Sequence, residues 1–130
     1  MHDAIEMHDS TLGEAVWEGS DLVLRLRPAY VHRSVGNPAV DPGTGWLQDV
    51  DLRVIGARVD RLPAALDCWL ADGELTVDGE SWDNVIPVPL VRGGATSFVA
   101  TTENNEAVVV SGAGVDLQAR GEARYCEEVQ

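Results

Sequence analysis

The stretch Thr11-Leu12-Gly13-Glu14-Ala15-Val16-Trp17-Glu18-Gly19-Ser20-Asp21-Leu22-Val23-Leu24-Arg25-Leu26-Arg27 decides the fold class. Leu22, Leu24 and Leu26 alternate with Val23, Arg25 and Arg27, so one side of the segment is apolar at a period of two. That is the pattern of a strand with one face buried. Glu18-Gly19-Ser20-Asp21 is turn chemistry, so Thr11 to Trp17 and Leu22 to His32 read as the two arms of a hairpin. Pro28 lacks a backbone donor, which places its part of the second arm at an edge or a bulge.

The same logic extends in both directions. Residues 1–6 read as a loose leader. Residues 33–45, Arg-Ser-Val-Gly-Asn-Pro-Ala-Val-Asp-Pro-Gly-Thr-Gly, read as a long mobile loop, because turn formers fill them. A long strand begins at Trp46, with Val50, Leu52 and Val54 on one face. Its apolar phase switches at Ile55, and Ala57 and Val59 follow the new phase, which predicts a bulge near Gly56. Leu62, Leu66 and Leu70 recur at helical spacing behind Pro63, so at most one short helix is expected near residues 62–70.

Asp72-Gly73 and Asp78-Gly79 predict tight turns around a short strand at 74–77. Val85 to Val91 reads as an edge strand, since Pro87 and Pro89 cannot sit in a central one. Strands follow at 96–102, 107–111 and 115–120, with a short one at the end of the chain. The sum is a single all-β domain spanning residues 1–130, an antiparallel sandwich or flattened barrel of about eight strands.

Composition narrows the function classes. The chain has 9 basic residues, all arginine, against 22 acidic ones, for a net charge of −13. Such a field repels phosphate backbones and anionic lipid, arguing against nucleic acid and membrane and in favour of a basic partner or a cation. No segment approaches the roughly 20 apolar residues of a membrane span, and no export signal opens the chain, so it reads as cytoplasmic. Cys68 and Cys126 have no metal-binding spacing and read as free thiols. A strand edge at 85–91 left uncovered would also allow a homodimer.

The chemically versatile side chains gather at His8-Asp9-Ser10. Consecutive residues of an extended segment alternate sides, so these three cannot relay a proton as a triad. Three roles remain for them: bonding backbone groups to fix the first strand, holding a metal through His8, Asp9 and His32, or supplying His8 as a general base. The first is favoured, because no ligand-like spacing is present. Asp72-Gly73-Glu74, Asp78-Gly79-Glu80 and Asp83-Asn84 offer oxygens but lack the calcium-loop pattern. Of the tryptophans at 17, 46, 69 and 82, Trp82 stands among polar neighbours and is expected to be exposed. Candidate binding residues are therefore His8, Asp9, Ser10, His32 and Trp82, with no cofactor and no metal expected.

The opening His8-Asp9-Ser10-x-Leu12, a Trp-bearing strand, Leu22-x-Leu24-x-Leu26 and the closing Gly121-Glu122-Ala123-Arg124-Tyr125-x-Glu127-Glu128 resemble small uncharacterised bacterial β-domain families. Some of these are proposed to be immunity proteins that neutralise toxins of neighbouring cells. The resemblance implies a β fold and a protein partner, and assigns no catalytic residue. Sequence thus favours a non-catalytic interaction module. A carbohydrate- or small-ligand-binding sandwich using the tryptophans is the second reading, and a His8-centred or metal-dependent hydrolase the third.

Overall fold

A computed structural model describes residues 1–130. In chain order the elements are β1 (His2–Glu6), a 3-10 turn (Met7–Asp9), β2 (Thr11–Glu18), β3 (Asp21–Ser34), β4 (Gly43–Ile55) and β5 (Arg58–Arg61). β6 (Cys68–Val77), β7 (Glu80–Asp83), β8 (Val85–Pro87), β9 (Leu90–Thr102) and β10 (Ala107–Val129) follow. The fold is all-β and antiparallel, in one 10-stranded sheet. The path β2–β6–β9–β10–β4–β3 returns to β2 through the opening hairpin, so part of the sheet closes on itself. Closure between β2 and β6 is short, resting on Thr11 opposite Trp69 and Leu12 opposite Cys68. β1 and then β8 extend the sheet beyond β3, leaving β8 at an edge.

The alternation seen in the hairpin runs across the ring as rows. Leu24 lies opposite Leu52, and Leu52 opposite Leu117; Leu22, Val54 and Val115 form the next row. On the other side Leu75, Phe98 and Val110 line up in the same way. These rows belong to one core of 24 buried residues. Burying a Leu or Phe side chain is worth about 1.5–3 kcal/mol, so the rows account for the closed shape. At Arg27-Pro28 two residues of β3 oppose one of β4. The bulge shifts the inward phase from Leu22, Leu24 and Leu26 to Ala29 and Val31, both fully buried.

Several expectations need correction. The leader forms β1, whose Ala4 and Ile5 are buried between β3 and β8. The loop expected at 33–45 shrinks to 35–42, because β3 runs to Ser34 and β4 starts at Gly43. It is also pinned: Ser34 Oγ donates to the Pro42 carbonyl at 2.9 Å, and the Asn37 N–H donates to Asp41 at 2.7 Å. At Gly56 the strand ends instead of bulging. The Gly56 N–H bonds Asp21 and the Ala57 N–H bonds the Ser20 carbonyl, fastening this corner to the first hairpin turn.

Residues 62–67 hold no helix. Leu62 and Leu66 pack half-buried against the core and Leu70 is already inside β6. A run this short does not repay helix nucleation, and the apolar contacts are available without it. Asp72-Gly73 lies inside β6 rather than in a turn, with Gly73 against the Met7 side chain. Asp78-Gly79 does turn, both residues having positive φ, as a two-residue hairpin of the right hand requires. Residues 85–91 split between β8 and β9. The glycines at 93–94 and 112–114 form no turns; two residues of β9 oppose Ala113 in a bulge, and 107–129 continue as one strand.

Candidate functional site

The 3-10 turn fixes the corner between β1 and β2. Its Met7 N–H donates to the Asn84 carbonyl at 2.8 Å, and the Met7 side chain is fully buried. Ser10 follows with no exposure. Its hydroxyl donates to the Glu6 carbonyl at 2.8 Å and accepts the Tyr30 N–H at 3.0 Å, while its own carbonyl accepts the Leu70 N–H at 2.9 Å. Ser10 therefore ties β1, β3 and β6 together at one buried point.

His8 lies half-exposed at the same corner. Its backbone N–H donates to Asn84 Oδ1 at 2.9 Å, which orients the Asn84 amide with Nδ2 toward His8 Nδ1. An amide nitrogen only donates, so Nδ1 accepts and the ring proton of the neutral form sits on Nε2. Nε2 in turn faces Asp9 Oδ2 at 3.1 Å. Donor atoms of Glu6, His8 and Asp9 all lie within 4.8 Å of one another. In this tautomer, however, both ring nitrogens are engaged, and neither offers a lone pair to a metal or a substrate proton.

His32 stands apart from that corner. It is 1% exposed, beneath the 35–42 loop, where its Nδ1 accepts the Ala39 N–H. Its Nε2 is buried and meets no partner in the protein. His8 and His32 thus share no hydrogen bond, and each is tied to its own surroundings. Trp82, expected to be exposed, is half-buried and packs on the core with Arg92 Cζ 5.8 Å from its ring centre. Its β7 strand pairs with β6, which holds the ring against the core.

Sequence reasoning missed the grouping that forms beside Asp9. Asp9, Tyr30, Leu47, Trp69, Cys126 and Glu127 line a groove of about 330 Å³. Tyr30 and Leu47 are register partners on β3 and β4, which places both on one face of the sheet. Trp69 is 52% exposed, unusual for so large an apolar side chain. Gly45 lies against the Tyr30 phenol, and a side chain there would overlap it. Burial, then the charge of Glu127, Glu6 and Cys126, pushes the Tyr30 phenol up to about 12. The signals were the lone Trp on β6 and the Tyr30 phase after the bulge, but nothing local in the chain links them.

Charge is also sorted in space. Between Leu62 and Glu106 the chain carries eight acidic residues and one basic residue, Arg92. Asp72, Glu74 and Asp83 line a shallow groove of about 380 Å³ there with Val99 and Thr101. The opposite wall holds most of the arginines, locked across strands. Asp51 takes Arg27 at 2.8 Å and Arg120 at 3.1 Å, Arg53 meets Asp21 at 3.2 Å, and Arg33 meets Asp3 at 3.0 Å.

Comparison with protein-family models, with curated proteins and with solved structures finds no match for this chain. No helix is long and apolar enough to cross a membrane. The class that fold and surface define is an acidic, all-β domain with one wall rich in carboxylates and carrying a single arginine.

Proposed function

We propose that this domain is a non-catalytic interaction module that binds a basic segment of another protein. One observation carries the reading. The arginines of β3 and β4, and Arg120 of β10, are neutralised by carboxylates on neighbouring strands, whereas the β6, β7 and β9 wall presents carboxylates with a single arginine. An unbalanced wall of this kind concentrates a basic partner and speeds its docking, with an effect that weakens as salt rises. An immunity protein covering a basic toxin, as the resemblance at the two ends of the chain suggests, would be one such module.

The test is capture of basic proteins from lysate at low and at high salt, with the wild type and with an Asp67→Asn, Asp72→Asn, Glu74→Gln, Asp83→Asn variant. The reading expects partners that are retained at low salt, released at high salt and lost with the variant. Retention of nothing basic by the wild type at low salt removes the reading.

A further inference from the structure

We propose that the groove beside Trp69 is an acceptor for an arginine side chain of the partner. The chain supplies its own precedent. Arg33 Cζ lies 4.8 Å from the centre of the Trp46 ring while its guanidinium bonds both Asp3 oxygens, at 3.0 and 3.2 Å. Arg92 Cζ lies 5.8 Å from the Trp82 ring while Glu80 sits 3.6 Å from its Nε. Two of the four indoles are therefore covered by a guanidinium that a carboxylate holds in place. Trp69 has an open ring and two carboxylates in its groove, Asp9 and Glu127, but no arginine lies there.

No arginine of this chain lines that groove. Seven of the nine are committed to carboxylates elsewhere. Arg61 lines a different hollow, with Asp60 and Glu106. Arg124 is opposite Leu47 in the register yet lines no part of the groove. Trp17 is as exposed as Trp69, but it lines no groove.

The chemistry selects guanidinium over a generic cation. A planar guanidinium stacks on an indole face and donates along its edges to two carboxylates at once, whereas an ammonium is a compact point charge. The Tyr30 ring and Leu47 supply an apolar floor, with the Tyr30 hydroxyl donating to Glu127, and a less polar floor strengthens both contacts. This inference rests on the basic-partner reading and names one contact within it.

The experiment follows the four indole N–H signals of the ¹⁵N-labelled full chain, with Trp69 assigned through Trp69→Phe. The probes are Nα-acetyl-arginine amide, its neutral citrulline counterpart, a neutral disaccharide and a hexa-arginine peptide. Arginine amide is expected to shift the Trp69 signal saturably, citrulline amide to leave it in place, and Trp17 to stay still. Glu127→Gln, at an exposed position, is expected to weaken the binding at least tenfold with an otherwise unchanged spectrum.

Equal shifts from citrulline amide, equal shifts at Trp17, or a response to the disaccharide alone would overturn the assignment, the last giving the groove to sugar. Hexa-arginine that moves the Val99 and Thr101 amides without moving Trp69 removes this inference and leaves the broader reading standing. No response to hexa-arginine on either face removes both.

Discussion

The backbone N–H of Tyr30 donates to the hydroxyl of Ser10 at 3.0 Å, across a chain separation of 20 residues and with Ser10 fully buried. The same hydroxyl donates to the Glu6 carbonyl, so one oxygen bonds two backbone groups, one buried and one part-buried. Ser10→Ala would leave both unpaired, each costing about 1–3 kcal/mol. The expected loss is about 2–4 kcal/mol in urea unfolding, with an unchanged m-value. A variant as stable as the wild type would show that the hydroxyl is dispensable.

Tyr30 gives a pH signature. Its phenol ionises near 12 when folded, against 10.0 for an ordinary tyrosine. Above pH 10 the unfolded chain releases this proton first, so unfolding is favoured progressively as pH rises from 10 toward 12. The melting temperature should fall across that window, and Glu127→Gln should shift the tyrosinate absorbance of Tyr30 to lower pH. An absorbance change complete near pH 10 in the folded protein would contradict this.

The two thiols should separate cleanly. Cys126 is exposed and Cys68 is buried, with burial and then Glu106 raising the Cys68 thiol. The thiolate is the reactive form. A disulfide reagent should therefore modify one thiol rapidly in the folded chain and the second only in denaturant. Cys126→Ser should abolish the fast reaction.

Close approach of backbone predicts a contrast between two glycines. A methyl at Gly43 would fall on the Arg33 carbonyl and lie 2.9 Å from His32 Nε2, whereas one at Gly93 meets nothing within 4 Å. Neither β3 nor β4 can yield there without losing the Arg33–Thr44 pairing. Gly43→Ala should cost about 1–3 kcal/mol, and Gly93→Ala should stay within about 0.5 kcal/mol of the wild type. Thermal melts of the pair decide it.

Asp51 joins three strands by accepting Arg27 and Arg120 together, at 17% side-chain exposure. Asp51→Asn should destabilise by about 1 kcal/mol, an effect that shrinks in high salt. A double-mutant cycle with Arg120→Ala measures the share carried by that pair.

Where local pattern and tertiary contact agreed, the sequence was readable. Leu22, Leu24 and Leu26 alternate because the ring needs them on one face, and Pro28 announced its bulge by lacking a donor. The leader was opaque because only Met1, Ala4 and Ile5 within it are apolar, and the burial of Ala4 and Ile5 depends on β8, more than 80 residues away. Glycines at 93–94 and 112–114 signal a turn or a bulge equally well, and only the pairing of β9 with β10 chooses between them. For the site, Ser10 could be read as an anchor from its residue type. The groove could not, since Asp9, Tyr30, Trp69 and Glu127 come from four separate parts of the chain.

Strand β10 has a consequence for how molecules of this protein come apart and meet. It lies between β9 and β4 and comes after both, so until residues 107–129 dock the ring stays open along two facing ladders. Pairing of β10 with β9 is a local hairpin step, but its closure onto β4 joins distant parts of the chain, which topology makes slow. While it waits, the gap will accept the same strand from a neighbour. At high concentration, refolding should therefore yield dimers that have exchanged β10, each ring closed by the other chain and every native pairing preserved.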